Sequence, residues 1–433
     1  MMEFFEITGG TPLQGTVKAA GNKNAVLPMI AAALLTDQPV TLQNVPDIGD
    51  VRTMLRIAEA LGADTDYNPA RNCLTIKATD ISSYELPRKL CREVRAGILF
   101  AAPLLYRAGK ARMAPPGGDV IGRRRVDAHF AGLTALGTEI AIDREMAFTA
   151  SKGLQGANVF LPEASVTATE QTMLAAAVAR GETVIRNAAC EPHVNDLAEL
   201  LAKMGADIIG IGTNVLTING ASQLTGATHK VVSDHTEAGS LIALAAATGG
   251  EVTVQDVDPE HYEMTKLVYR NLGIELEFGD RSITLPATQS RQMQPDPRGG
   301  IPVIDTGIWP QFPSDLMSVT IVLATQLTGT VLFFEKLYES RMYFVDRPIA
   351  MGANAVICDP HRVVVSGPAR LQSIQLSSPD IRAGIALLGA ALCARGTSVI
   401  RNIRLIDRGY ENIEAKLRQL GAAIERHKMV TDE

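Results

Sequence analysis

The sequence predicts an α/β fold made of six similar units, and the first observation behind this prediction is a repeat. A Leu-Gly or Met-Gly pair recurs, each time between a helix-like segment and a strand-like segment. The spacing is 68 to 79 residues, at Gly62, Gly137, Gly205, Gly273, Gly352 and Gly421. Because this period is too long for one solenoid repeat, each copy is expected to be a small α/β unit that shares a surface with its neighbours.

The second observation is an apolar, alanine-rich helix before each unit. These segments are apolar nearly all round, which indicates buried helices. Most of them are followed by a glycine, as is typical of a helix C-terminus. The predicted helices are 23–35, 95–106, 169–179, 237–248, 315–327 and 380–394, and the glycines are Gly109, Gly181, Gly249, Gly329 and Gly396.

The third observation is a second, amphipathic helix in the repeats, for example at 196–204 and 413–420. A single apolar stripe predicts that these helices lie on the outside of each unit. Six units divide most simply into three and three, with a boundary near Val232–Ser233. The strand at 4–8 belongs to no complete unit, so we expect it to pair with the C-terminal half.

The composition argues against several classes of protein. The chain of 433 residues is 46% hydrophobic and 20% charged, with a net charge of −6. This composition lacks the excess of basic residues that is typical of a nucleic-acid-binding protein. No apolar stretch approaches the ~18 residues of a membrane span. The N-terminus lacks the charged and apolar regions of a secretory signal.

Cysteine, histidine and glycine patterns give no cofactor or metal site. The five cysteines are scattered, without C-x-x-C spacing, which argues against disulfides and zinc and predicts a reducing, cytoplasmic location. The seven histidines lack metal-ligand spacing. The sequence contains no P-loop, no G-x-G-x-x-G fingerprint and no G-x-S-x-G elbow. The cysteines are Cys73, Cys91, Cys190, Cys358 and Cys393.

Several buried helices carry charge in their first turns. A charged residue there must meet solvent, a partner or a ligand. For Asp315 and Asp380, simple capping of the helix is an equal alternative, since acids are favourable at a helix N-terminus. Lys23 and Arg95 instead oppose the helix dipole. A bound anion would reverse that penalty, so these two residues predict a phosphate or carboxylate site.

A loop at 115–127 contains the first group of candidate residues. Proline and glycine pairs predict the loop, with Asp119 at its tip and Arg123, Arg124 and Arg125 after it. A solvated basic turn is the commoner explanation for such a string. An acid beside arginines also fits proton transfer near an anion.

Two further stretches complete the candidate site. The segment 21–28 supplies Lys23 and Asn24, either as a polar helix start or as an anion site. The other candidates are charged residues of the C-terminal half, each of which alone could form a surface salt bridge. Because they occupy equivalent positions in different repeats, one shared site is favoured. The predicted protein is therefore a two-lobed enzyme that binds anionic substrates. The remaining residues are Arg341, Asp380, Arg382 and Arg408.

Seven motifs taken together resemble the enolpyruvyl transferase family. They occur in order, at family-like spacing, over essentially the whole chain. The related shikimate-pathway synthase is expected to begin with a GSKS-type motif, where this chain has GNKN. The motifs are GNKNAVLPMIAAALL, PGGDVIGRRRVDAH, EASVTATE, NAACEPHVND, FPSDL, ESRMYF and IDRGYENIE.

The resemblance implies an inside-out α/β barrel of two similar domains, each with three βαβαββ units. Domain I is expected at 22–232 with a mobile loop near 114–123, and domain II at 1–21 and 233–433, with the active site in the cleft between them. The implied reaction moves the enolpyruvyl group of phosphoenolpyruvate to the 3′-hydroxyl of UDP-N-acetylglucosamine and releases phosphate. This is the first committed step of peptidoglycan precursor synthesis. The resemblance implies no cofactor, no metal and no obligate protein partner.

The resemblance also assigns roles to residues. It implies Asp119 as the general acid and Asp315 as the base, with Lys23 and Arg408 completing the catalytic set. The residues implied for phosphoenolpyruvate are Lys23, Arg124 and Arg408, with Arg341, Asp380 and Arg382 as further cleft residues. The residues implied for the sugar nucleotide are Asn24, Arg95, Arg124, Arg125, Val126, Asp127, Ala128, Ser165, Val166, Asp315 and Leu337.

The sequence departs from the family pattern at the loop tip and in the nucleotide pocket. Many members have Cys where this chain has Asp119. A carboxylic acid can still protonate carbon when burial keeps it protonated. Because a carboxylate is a weaker nucleophile than a thiolate, we predict that the epoxide fosfomycin does not inactivate the enzyme. Glu163, Thr167 and His235 replace a usual Lys, Gly and Arg.

Two alternatives remain open at this point. The altered pocket leaves room for enolpyruvyl transfer to a different nucleotide. A catalytically silent paralogue that senses a sugar nucleotide is the other alternative, but a sensor would not need both the acid Asp119 and the base Asp315.

Overall fold

The computed structural model describes residues 2–119 and 121–429, and the chain forms two compact units. Unit 1 comprises Met1–Ala20, Asp119–Arg124 and Ser233–Glu433, and unit 2 comprises Gly21–Gly118 and Arg125–Val232. Each unit has its own hydrophobic cluster.

Short strands account for the sheets of both units. In chain order they are β1 (Met2–Thr8), β2 (Gln14–Lys18), β3 (Val40–Gln43), β4 (Asp64–Asn68), β5 (Cys73–Lys77), β6 (Lys110–Met113), β7 (Glu139–Ile142), β8 (Met146–Thr149), β9 (Asn158–Phe160), β10 (Glu182–Arg186), β11 (Asp207–Ile209), β12 (Val215–Asn219), β13 (Thr228–Lys230), β14 (Glu251–Gln255), β15 (Glu277–Phe278), β16 (Ser282–Leu285), β17 (Val303–Asp305), β18 (Gly329–Phe334), β19 (Asn354–Asp359), β20 (Arg362–Gly367), β21 (Gln375–Ser377), β22 (Thr397–Arg401) and β23 (Ala423–Met429).

Helices alternate with these strands. The α-helices are α1 (Lys23–Ala32), α2 (Gly49–Ala60), α3 (Arg88–Glu93), α4 (Ala101–Ala108), α5 (Asp127–Ala135), α6 (Val166–Ala176), α7 (Pro192–Lys203), α8 (His235–Thr248), α9 (Glu263–Asn271), α10 (Ser314–Ala324), α11 (Asp346–Ala350), α12 (Ile381–Cys393) and α13 (Ile413–Gln419). Short 3-10 helices lie at Ala33–Leu35, Pro69–Arg71, Arg95–Phe100, Pro259–Tyr262, Arg341–Val345 and Ile403–Leu405.

The strands form six small sheets that follow one plan. In five sheets a parallel pair is extended by two antiparallel strands. The sixth, β6-β8-β7, has a parallel bridge between Glu85 and Arg112 in the place of the fourth strand. The five orders are β13-β3-β5-β4 and β9-β10-β12-β11 in unit 2, and β2-β14-β16-β15, β17-β18-β20-β19 and β21-β22-β1-β23 in unit 1.

The predicted βαβαββ repeat is visible directly in chain order. It runs uninterrupted as β9-α6-β10-α7-β11-β12 in unit 2 and as β17-α10-β18-α11-β19-β20 in unit 1. In other repeats, one strand of the sheet comes from a distant part of the chain. The N-terminal strand β1 pairs with β22 and β23, which confirms that it joins the C-terminal half.

Each unit buries three helices beneath its sheets. In unit 1, α8, α10 and α12 pack against one another and are buried nearly all round. In unit 2, α1, α4 and α6 take the same place. The amphipathic helices α7 and α13 each keep an exposed face. Helices therefore lie inside and sheets outside within each unit, as predicted.

Helix starts differ from the predicted ones where a capping residue was overlooked. Helix α6 begins at Val166, earlier than predicted, because the Ser165 hydroxyl accepts the Ala168 N–H. Helix α8 begins at His235 because Asp234 caps it. A side-chain oxygen at the N-cap satisfies amide groups that have no partner within the helix.

The repeat glycines and the glycines that end the buried helices share one backbone feature. Their φ angles are all positive, from +70° at Gly109 to +130° at Gly329. An L-side chain rarely adopts this conformation, so glycine is the residue that allows the chain to leave the helix there. Among the helices of the described residues, none is long and apolar enough to cross a membrane.

Candidate active site

Asp315, in the first turn of α10, lies between two buried arginines of unit 1. Arg382 donates to its Oδ2 from Nε at 3.0 Å and from Nη2 at 2.8 Å. Arg341 donates to its Oδ1 at 3.1 Å. Both arginine side chains are almost fully buried, while that of Asp315 is 29% exposed. The carboxylate is therefore held in one orientation and still has an open side.

Arg382 owes its position to the start of α12. Asp380 caps this helix and accepts the N–H groups of Arg382 and Ala383, both at 2.8 Å. Burial raises the pKa of Asp380. Burial lowers the pKa of the Arg382 guanidinium, but Asp315, Tyr410 and Asp234 together outweigh burial, and the net pKa is raised. A third Arg382 nitrogen donates to the Tyr410 hydroxyl at 3.0 Å.

Arg341 retains hydrogen-bonding capacity. Its Nε and Nη1 atoms are buried and have no hydrogen-bond partner among the described residues. Buried donors are normally paired, and a guanidinium pairs best with a carboxylate or phosphate. Burial lowers the pKa of Arg341, yet Asp315 and Glu335 outweigh it, and the net pKa is raised. These two buried donors are available to a carboxylate or a phosphate.

Glu335, at the end of β18, connects the start of α10 with the turn before Arg341. Its carboxylate accepts hydrogen bonds from the hydroxyls of Thr306 and Ser314, at 3.0 and 2.6 Å. It also accepts the N–H groups of Leu337 and Tyr338, at 2.8 and 3.2 Å. The sequence analysis overlooked Glu335, because a glutamate at a strand end carries no distinctive signal.

Asp119 and Arg408 form an ion pair of 2.7 Å between Oδ1 and Nη1. Their side chains are 17% and 19% exposed. These two residues are 289 positions apart in sequence, and the sequence analysis proposed both as catalytic without predicting the contact. In this arrangement Asp119 accepts a hydrogen bond from Arg408, whereas a general acid must donate a proton.

Within unit 1, the segment after Asp119 is held by hydrogen bonds to residues 339 and 340. Glu339 accepts the Arg123 N–H at 2.9 Å, and the Ser340 N–H donates to the Ile121 carbonyl at 3.2 Å. Gly122 has a φ of +131°, and a Cβ there would overlap the Glu339 carboxylate. The loop tip predicted at 114–123 includes position 120, which lies outside the described residues.

His235, one of the departures from the family pattern, is fully buried at the start of α8. Burial lowers its pKa to about 4. His261 and Arg382 act in the same direction, and Asp234 and Asp315 oppose it. A neutral imidazole therefore stands near Asp315 at neutral pH.

In unit 2, Lys23 opens helix α1 and is 11% exposed. Its ammonium group lies 2.8 Å from Oδ2 of Asp50, whose side chain is 3% exposed. Asn22 caps the helix by accepting the N–H groups of Asn24 and Ala25. Sequence analysis missed Asp50 and Asn22. The cap could have been found, because Asn before a helical run is a standard start signal.

Other predicted nucleotide residues of unit 2 lie near one another. Arg95 donates to the Arg125 carbonyl at 2.7 Å, and the Arg125 side chain pairs with Asp127 at the start of α5. Arg124 falls in unit 1, where its charge affects Tyr338. The remaining predicted residues are Val126, Ala128, Ser165 and Val166 in unit 2, and Leu337, which is 41% exposed, in unit 1.

Asp196, Glu199 and His229 form the one group among the described residues whose ligand atoms could hold a metal ion. His229 Nε2 lies 2.8 Å from Asp196, while its Nδ1 lies 2.9 Å from the Lys203 ammonium group. Asp196 also accepts the Val232 N–H at 2.8 Å. The ammonium group at the second ring nitrogen supports a hydrogen-bonded structural cluster over a cation site.

Comparison with known proteins decides the family. The family model for EPSP synthase (3-phosphoshikimate 1-carboxyvinyltransferase) matches residues 7–417. The chain belongs to the enolpyruvyl transferase family. This confirms the resemblance found in the motifs.

Several similar relatives share one name. A UDP-N-acetylglucosamine 1-carboxyvinyltransferase of Treponema denticola is 48% identical over 98% of this chain and 99% of that protein. Proteins of the same name are 49% identical in Borreliella burgdorferi, over 99% of this chain and 100% of that protein, and in Bradyrhizobium diazoefficiens, over 97% of each.

Solved structures of the family have the same fold. The enolpyruvyl transferase NikO from Streptomyces tendae is similar with a TM-score of 0.87 and 22% identity, over 99% of this chain and 100% of that one. EPSP synthase from Acinetobacter baumannii is similar with a TM-score of 0.73 and 16% identity, over the same shares. At these identities the likeness concerns the fold alone, and it confirms the predicted α/β architecture.

Proposed function

We propose that this enolpyruvyl transferase moves the enolpyruvyl group of phosphoenolpyruvate to the 3′-hydroxyl of UDP-N-acetylglucosamine, with release of phosphate. The observation that carries the proposal is the similarity of 48% to 49% identity, over nearly the whole chain, to proteins of that name. The reaction would be the first committed step of peptidoglycan precursor synthesis.

Asp315 is proposed as the base. Two guanidinium groups hold its carboxylate in the charged form, as a proton acceptor requires, and its exposed side leaves room for a hydroxyl group. Asp315 would take the proton of the attacking 3′-hydroxyl, whose oxygen forms a bond with C2 of phosphoenolpyruvate. Proton transfer by a positioned carboxylate supplies roughly 10²- to 10⁴-fold of rate.

Asp119 is proposed as the acid that protonates C3 of phosphoenolpyruvate. Asp119 forms an ion pair with Arg408. Phosphoenolpyruvate would compete for Arg408 with its own negative charge. Substrate binding would thus release the Asp119 carboxyl group from Arg408 so that it can act on C3.

The cationic residues are proposed to stabilise the anionic substrate and the leaving phosphate. Lys23, Arg124 and Arg408 would hold phosphoenolpyruvate, and the unpaired donors of Arg341 would contribute further hydrogen bonds. Preorganised cations stabilise charge that develops on a leaving group. When phosphate departs from C2, the Asp119 carboxylate would take a proton back from C3, which restores the double bond and regenerates the acid.

The nucleotide site is proposed to include Asn24, Arg95, Asp127, Ser165 and Leu337. That residues of unit 1 and unit 2 act on one pair of substrates stays a prediction. A cytoplasmic location also stays a prediction, which the five free cysteines support.

Phosphate release from phosphoenolpyruvate tests the proposal. We expect release with UDP-N-acetylglucosamine and none with UMP, with shikimate 3-phosphate or without an acceptor. Release with UMP alone would favour the different-nucleotide alternative. A lack of release with every acceptor would favour the silent paralogue.

A further inference from the structure

A second arginine, Arg426 on β23, lies behind the turn that carries Arg408. Its Nη1 and Nη2 atoms donate to the two carboxylate oxygens of Asp407, at 2.9 and 2.7 Å. It also donates to Glu414 at 2.7 and 3.1 Å and to Glu3 at 3.0 Å. The guanidinium stacks on the buried ring of Phe5 at 4.9 Å. A forked pair of this kind fixes direction as well as distance.

The turn is held by buried side chains on either side of Arg408, with Ile406 0% and Tyr410 1% exposed. Its backbone hydrogen bonds are local, such as Asp407 N–H to Ile403 at 3.0 Å and Gly409 N–H to Ile406 at 3.0 Å. Side chains hold it on both sides of Arg408. Asp407 is held by Arg426, and Tyr410 is held through its hydroxyl.

The Tyr410 hydroxyl contacts both the Asp315 cluster and α8. It accepts from Arg382 Nη1 at 3.0 Å and lies 3.0 Å from the Ser240 hydroxyl. Arg408 therefore lies between two residues that are fixed by side-chain contacts. Tyr410 is fixed by Arg382, which also binds Asp315, and Asp407 is fixed by Arg426.

We propose that Arg426 is a positioning residue, which aims Arg408 at phosphoenolpyruvate by fixing Asp407. This inference rests on the proposed function, in which Arg408 binds that substrate. A misplacement of about 1 Å in a binding group costs up to roughly a hundredfold in rate. The Arg426 and Asp407 side chains are 22% and 32% exposed, but their bidentate pair belongs to a network of charges that also contributes to stability. The test therefore reads the KM for phosphoenolpyruvate beside the melting temperature.

Steady-state kinetics of Asp407→Asn and Arg426→Gln test the inference. We expect the KM for phosphoenolpyruvate to rise roughly tenfold or more, with the KM for UDP-N-acetylglucosamine unchanged. The KM for phosphoenolpyruvate of the double variant should not exceed that of the more impaired single variant, because both changes break the same fork. Arg426→Lys should not rescue the KM, since an ammonium group cannot form the fork.

Two variants serve as matched controls. Glu3→Gln removes a different carboxylate from the same guanidinium and leaves Asp407 in place. Lys428→Gln removes the neighbouring cation of β23, which pairs with Glu3 at 3.3 Å. Both should keep wild-type KM values. The melting temperature of every variant separates loss of folding from loss of positioning.

The outcomes are distinct. If Asp407→Asn folds and keeps the wild-type KM for phosphoenolpyruvate, the inference is overturned, even where Arg426→Gln fails to fold. If the controls change that KM as much as Asp407→Asn does, the inference is also overturned. If the wild-type enzyme releases no phosphate with UDP-N-acetylglucosamine, the proposed function fails and this inference fails with it.

Discussion

Arg382 places two of its nitrogens, Nε and Nη2, within 3.0 Å of a single carboxylate oxygen of Asp315. The other oxygen of Asp315 receives Arg341. The proposed base is therefore oriented on two sides, by helix α12 and by the 3-10 helix Arg341–Val345. This arrangement gives Asp315 a defined direction without closing it off.

Asp315→Asn removes the proposed proton acceptor while keeping its shape. We expect kcat to fall roughly 10²- to 10⁴-fold, because an amide cannot take the hydroxyl proton. Phosphate release with saturating substrates measures the change. Asp305→Asn, which alters an exposed carboxylate paired with Lys336, is the control and should keep its activity. Near-normal turnover in Asp315→Asn would remove this residue from the role of base.

Asp119→Asn removes the proposed acid. We expect turnover to be lost with little change in affinity for UDP-N-acetylglucosamine, because the acid acts on phosphoenolpyruvate. Phosphate release and calorimetric titration of the nucleotide measure the two effects. Asp143→Asn, an exposed position on unit 2, serves as the control. Unchanged phosphate release in Asp119→Asn would exclude Asp119 from proton transfer.

Asp119→Cys should change the response to fosfomycin. The wild-type enzyme is expected to keep its activity after preincubation with this epoxide, because a carboxylate is a much weaker nucleophile than a thiolate. The variant should keep activity and lose it progressively with fosfomycin. Mass spectrometry of the intact protein measures the covalent adduct. Rapid modification of the wild-type protein at Asp119 would contradict this prediction.

The buried His235 should make stability depend on pH. Its folded pKa of about 4 lies below the usual 6.5, so between these values the unfolded chain binds a proton that the folded chain does not. The free energy of unfolding should therefore fall as pH drops from 6.5 to 4, by about 3 kcal/mol in total. Urea unfolding at a series of pH values measures this slope.

The matched variant for that experiment is His235→Gln, which cannot titrate. Its free energy of unfolding should vary less between pH 6.5 and pH 4 than that of the wild-type protein. His427→Gln alters a histidine whose side chain is 39% exposed and should leave the slope in place. Equal slopes for the wild-type protein and His235→Gln would contradict a buried neutral imidazole.

The sequence allowed the fold to be predicted because its signals are local and repeated. Glycines that recur at similar spacing indicated where helices end. Their positive φ angles are found where the chain leaves a helix. The pairing of β1 with β22 and β23 could be expected because that strand had no partner nearby. Helix starts were less accurate where a cap such as Ser165 was overlooked.

The candidate site was predictable only in part. Lys23 and Arg95 stood out because a positive charge in the first turn of an apolar helix is unusual. Glu335 and Asp50 did not, since their roles depend on donors brought from distant segments. The Asp119–Arg408 contact spans 289 positions, and only the folded chain brings these two side chains together.

The most direct test of the account is the identity of the nucleotide product. Wild-type enzyme, phosphoenolpyruvate and UDP-N-acetylglucosamine should give one nucleotide that carries an enolpyruvyl group on the 3′-oxygen, together with an equal amount of phosphate. Mass spectrometry and NMR of the purified nucleotide measure this. Phosphate release with an unmodified nucleotide, or an enolpyruvyl group on another atom, would contradict the proposed reaction.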